Sequence, residues 1–202
     1  MDLNSHTGRA PRGVTVAPAR RNPGAGRGPL VGAVFGGVWF LVGLGALHGG
    51  PRRAAASVGA VLAVAVAFAV LRARSRPVSP PAGASQPRGR AFVRLIVVQA
   101  VLLGVGAGLI NGRLDTPQLA FCWAALVVGG HFFPLARVLE APLLRLLGAV
   151  MVGVVAATVT LALAAPDTTP WIWQALPGLG CAGALWAAVL TTGLRAPARR
   201  QG

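Results

Sequence analysis

Apolar residues arrive along the chain in six blocks, separated by shorter stretches carrying proline, glycine and arginine. The first block runs from about Pro29 to Leu47, the second from about Ala54 to Leu71, and the third from about Ala91 to Ile110. The fourth covers about Pro117 to Val138, the fifth about Pro142 to Ala165, and the sixth about Trp171 to Leu194. Each is close to the roughly 20 residues that a helix needs to cross a hydrocarbon core. Pro29, Pro117, Pro142 and Pro170 stand at or near the block starts, where a missing N–H does no harm to a helix. The pattern predicts an all-α, polytopic membrane helix bundle of about six transmembrane helices over residues 29–195.

The stretches outside the blocks read differently. Residues 1–28 carry Arg9, Arg12, Arg20, Arg21 and Arg27 among Pro, Gly, Ser and Asn, with too few apolar side chains to offset the entropy of ordering. A disordered, Arg-rich tail is expected there, and a short basic tail at 196–202. The Arg20–Arg21 pair is followed by Asn22 and Pro23 instead of the apolar residues of a twin-arginine signal. The next apolar block is longer than a signal-peptide core, so it is expected to stay as an anchor. The longest connection, about 72–90, is rich in Pro and Ser and predicts a flexible linker between helices 1–2 and helices 3–6.

Composition makes lipid the solvent. Hydrophobic residues are 54% of the chain and charged residues 11%, too few to cover a core in water, where about a quarter are charged. The mean hydropathy is +0.66. The net charge of +15 comes from 19 basic residues, all arginine, against four acids. An Arg-only, Ala/Gly/Pro-rich chain fits codon bias in a GC-rich bacterial genome. In a soluble domain such a charge would suggest nucleic acid. Beside membrane spans it has a simpler cause, the marking of cytoplasmic ends and attraction to anionic headgroups. No nucleic-acid partner is expected.

Arginine placement orients the spans. With the N-terminus inside, the cytoplasmic segments hold the five arginines of the first tail, then Arg72, Arg74, Arg76, Arg88, Arg90 and Arg94. Arg137, Arg145, Arg195, Arg199 and Arg200 complete that side, and only Arg52, Arg53 and Arg113 fall outside. The positive-inside rule then predicts both termini in the cytoplasm and a multi-pass location of the bacterial inner-membrane type. Asp167, Trp171 and Trp173 would lie outside, the indoles near the headgroups.

Within the blocks, small residues suggest packing faces. Gly32, Gly36 and Gly43 share a stripe with Trp39, and Gly104 and Gly108 repeat the spacing in the third block. Such spacings let helix backbones approach closely where the hydrophobic effect cannot hold them together. Bundle packing is expected of them, with a homo-oligomer as the other use. Pro177, Gly178 and Gly180 interrupt the sixth block, which a passive kink or the broken helix of a transporter both explain. Cys122 and Cys181 lack the short spacing of a metal or redox pair and read as small buried hydrophobes.

Polar residues deep in the blocks are Gln99, His131, Thr158 and Thr160. Gln99 lies about 12 Å and His131 about 9 Å from the cytoplasmic end of its helix, at about 1.5 Å per residue. Neighbouring antiparallel helices would hold them at similar depth. An ionisable group inside a membrane is a functional candidate and needs a partner. Gln99 is the expected one, with Arg94 and Glu140 joining from the cytoplasmic edge. The competing reading is a neutral histidine that fixes helix register, with Pro134 bending the chain a turn later.

The run Gly129–Arg137, GGHFFPLAR, resembles a GxHFxPLAR-type motif of an uncharacterised family of small bacterial multi-pass membrane proteins. Asn111, Arg113, Trp39 and Phe40 are similar to the same group, and the likeness covers about residues 30–165. The resemblance implies a membrane location and no particular activity. Zinc-hydrolase, nucleophile-elbow and phosphate-loop signatures are missing, and two-carboxylate chemistry has almost no acids to draw on. No enzyme activity, cofactor or metal is expected. The favoured reading is a non-enzymatic structural or accessory membrane protein that meets anionic headgroups and a protein partner. The alternative is a small carrier or channel with its site at His131 and Gln99. A faint likeness of Trp39, Gly43 and His48 to Trp123, Gly129 and His131 would give that alternative inverted three-helix halves.

Overall fold

The computed structural model describes residues 27–75, 89–165 and 171–194. The terminal tails and most of the 72–90 linker lie outside the described residues. Six α-helices account for nearly all of the rest: α1 (Arg27–Gly45), α2 (Gly49–Arg74), α3 (Gly89–Gly112), α4 (Leu119–Leu139), α5 (Pro142–Ala164) and α6 (Ile172–Leu194). All six are long and apolar enough to cross a membrane. Helix is the form required there, because lipid offers no partner to an exposed N–H or C=O.

The boundaries depart from the apolar blocks where a helix extends into polar sequence. α2 starts at Gly49, ahead of the expected Ala54, with Pro51 in its first turn and Arg52–Arg53 following. It runs on to Arg74, and α3 begins at Gly89, so both ends of the expected linker are helical. The α4–α5 connection is tight. Glu140 ends α4 in the left-handed region at φ 52°, its N–H donating to the Ala136 carbonyl, and Pro142 opens α5.

The helices alternate in direction. Gly32, Gly36 and Gly43 on α1 face Val189, Trp186 and Leu179 on α6, an antiparallel order. Gly129 on α4 faces Gly148 and Met151 on α5, Gly180 on α6 faces Val154 on α5, and Gly106 on α3 faces the Trp123 indole on α4. Among the described residues α6 is the hub, touching α1, α2, α4 and α5, whereas α3 touches α4 alone. Burial follows: 44% of the span window of α6 is buried against 11% of that of α3.

The bundle is built small-side-in. Its centre holds Cys122, Ala125, Met151, Cys181, Ala182 and Leu185, while Val34, Phe35, Val61, Val64, Val97 and Val101 point outward. Close backbone approach fastens such helices, since tails of lipid are as apolar as valine. At the α1–α6 crossing, a Cβ added to Gly178 would sit 2.5 Å from the Gly43 Cα. Only glycine fits on either side.

Candidate functional site

Polar side chains inside the bundle mostly donate to a carbonyl of a neighbouring helix. Trp186 Nε1 donates to the Ala33 carbonyl at 3.2 Å, joining α6 to α1. Gln174 Nε2 donates to Val42 at 2.9 Å across the same seam, and Trp123 Nε1 to Leu102 at 3.0 Å between α4 and α3. Pro177 has no N–H, so the Trp173 carbonyl four residues earlier loses its helical donor. The Cys122 thiol stands 3.9 Å from that carbonyl, a weak contact that ties α4 to the bend. Thr158, fully buried, donates back to Val154 at 2.8 Å within α5.

His131 on α4 and Gln99 on α3 are both half-buried. Gln99 lies seven residues before Gly106, about 10 Å along α3. The antiparallel register that sets Gly106 against Trp123 therefore places it near the level of Gly130 and His131. Depth is shared, yet among the described residues no hydrogen bond joins the two side chains. The His131 ring instead meets Phe132 edge-on, centroids 6.4 Å apart. Pro134 also leaves the Gly130 carbonyl without its helical donor.

Arg94 and Glu140, the other two candidates, are exposed at the end of the bundle. Two hollows lie there. One is lined by Gly89, Arg90, Val93 and Arg94, and the other by Ala136, Arg137, Glu140, Pro142 and Arg145. Neither includes His131 or Gln99. The alternation of helices collects Arg72, Arg74, Arg90, Arg94, Arg137 and Arg145 at this end, opposite Arg52, Arg53 and Arg113.

The five packing glycines divide. Gly32, Gly36 and Gly43 lie in the α1–α6 seam, whereas Gly104 and Gly108 face open space. The α4-facing stripe of α3 runs through Leu95, Gln99, Leu103, Gly106 and Ile110, and Gly104 is about 200° around the helix from Gly106. Gln174 escapes a search for deep polar residues because it lies in the first turn of α6, and Trp123 and Trp186 escape it because an indole counts as apolar there. Its N–H still needs an acceptor when buried, and that was the available signal.

The arrangement defines a class: a polytopic helical membrane protein, six spans arranged around a hub helix. Comparison with protein-family models, curated proteins and solved structures gives no match to this chain.

Proposed function

We propose that this chain is a non-enzymatic integral membrane protein, a scaffold or accessory subunit. The observation that carries the reading is the use of the interior donors of Trp123, Gln174 and Trp186. Each bonds a carbonyl of another helix, so each holds architecture instead of facing a cavity. The arginine-rich end faces the cytoplasm in this proposal, and the membrane is a bacterial inner membrane, in keeping with the GxHFxPLAR-type resemblance. Reporter fusions after Arg90 and Arg200 should read cytoplasmic and one after Asp167 external. A cytoplasmic signal at Asp167 removes the even span count.

The carrier alternative draws on the shared depth of Gln99 and His131. Against its inverted halves, α4 touches α6 while α1 and α3 do not touch, so the halves pack differently. The two readings part in proteoliposomes of the full chain loaded with a pH-sensitive dye. The scaffold gives proton flux no greater than protein-free vesicles. A flux lost in His131→Leu would establish the carrier instead.

A further inference from the structure

The α4–α5 turn combines three features that chain geometry alone does not require. Arg137 closes α4, Arg145 lies in the first turn and a half of α5, and both line one hollow with Glu140. Arg137 lies three residues before Glu140 and Arg145 three after Pro142, so the two residues flank the turn at about the same level. Snorkelling along their apolar stems brings such heads to the headgroup layer. The turn itself is held by a non-glycine residue in the left-handed region, Glu140 at φ 52°, where glycine is the ordinary choice. The hollow thus keeps two cations and one anion, a net positive seat. Arg90 and Arg94, in the first turns of α3, line a separate hollow at about the level of the last turn of α4.

The geometry points to a discrete site for the phosphate of an acidic phospholipid, held by Arg137 and Arg145 in the α4–α5 hollow. The inference rests on the membrane reading above and on the arginine end meeting a headgroup layer. Guanidinium groups suit a phosphate by their forked donors, and charge-assisted pairs of this kind are the strong ones. A lipid is the occupant because the hollow opens at the end of a bundle whose outward faces are Val, Leu and Phe, where acyl chains lie. Glu140 tunes the seat by lowering its net charge.

The test uses the purified full chain in a neutral detergent, with bound lipid counted by native mass spectrometry. The probes are phosphatidylglycerol, phosphatidylcholine and inorganic phosphate. Wild-type protein should retain phosphatidylglycerol and release phosphatidylcholine. The double variant Arg137→Gln/Arg145→Gln should weaken retention by on the order of tenfold or more, the scale of a charge-assisted bond. Glu140→Gln should strengthen it. Arg72→Gln/Arg74→Gln removes the same charge from the same end and should change retention less than about threefold, since those residues line neither hollow. Equal losses in the two double variants would replace the site by diffuse attraction and overturn the proposal. Displacement of the lipid by an equal concentration of inorganic phosphate would reassign the seat to a soluble anion. A chain that leaves membranes in alkaline carbonate without detergent would instead remove the membrane reading itself, a separate failure.

Discussion

Two substitutions of glycine by alanine should move stability in opposite directions. At Gly178 the added methyl would stand 2.5 Å from the Gly43 Cα and 2.5 Å from its nitrogen, with the Trp39 carbonyl at 3.0 Å. Carbon atoms rest at roughly 3.5–4.0 Å, so the α1–α6 seam must open by about 1 Å, and a gap of that size forfeits a quarter to a half of each dispersion contact. No flexible side chain can yield, because the obstruction is backbone. The same opening stretches the Trp186–Ala33 and Gln174–Val42 bonds, at 3.2 and 2.9 Å. Overpacking typically costs about 1–3 kcal/mol, and with both clasps strained Gly178→Ala should fall near the top of that range. Gly104→Ala meets nothing within 4 Å. It removes only the conformational freedom of glycine, which should stabilise α3 by up to about 1 kcal/mol. Unfolding of the two variants in mixed micelles, followed by far-ultraviolet circular dichroism against denaturing detergent, reads both signs. A loss at Gly104→Ala comparable to that at Gly178→Ala would refute the reasoning and mean that the outer face of α3 is covered by another chain.

Trp123→Phe keeps the ring over Gly106 and deletes the Nε1 donor to Leu102, so it should cost roughly 0.6 kcal/mol, the usual worth of a helix–helix bond in a membrane; the same unfolding assay checks it. His131→Leu should leave stability within about 0.5 kcal/mol, because no hydrogen bond of its imidazole is broken among the described residues. A loss of several times that amount would show that a partner holds His131. Glu140→Gly should strengthen phosphatidylglycerol retention, because it takes the anion out of the α4–α5 hollow; an unchanged lipid count would refute that role of Glu140.

The six spans were legible because length and hydropathy alone decide whether a segment can sit in lipid. The stripe through Gly32, Gly36 and Gly43 was legible as a close-packing face, since three glycines and Trp39 recur at helical spacing. Its partner was not, because spacing on one helix carries no information about which other helix arrives. Gly104 and Gly108 show the limit of the same signal: they repeat the spacing, yet the neighbour of α3 lies on the side of Gly106. That Gln99 and His131 come near one level follows from counting residues along antiparallel helices. Rotation about those helices, which decides whether side chains meet, is set by the fit of Trp123 over Gly106 and is invisible to counting. The seat at Arg137 and Arg145 was hidden for another reason: the positive-inside rule treats arginines as topological labels and does not ask which pairs face one hollow.

The hub position of α6 has a consequence for biogenesis. A ribosome delivers α6 after the other five helices, so α1 enters the bilayer before the helix that its glycine stripe fits has been made. The contact between residues near positions 36 and 186 closes a loop of most of the chain, and such non-local contacts form slowly. Until then Gly32, Gly36 and Gly43 present bare backbone to whatever surrounds the nascent protein, a surface open to wrong partners. A chain ending before Trp171 should therefore be cleared by membrane quality control even though five of its spans are intact, and pulse-chase labelling would measure how long α1 waits.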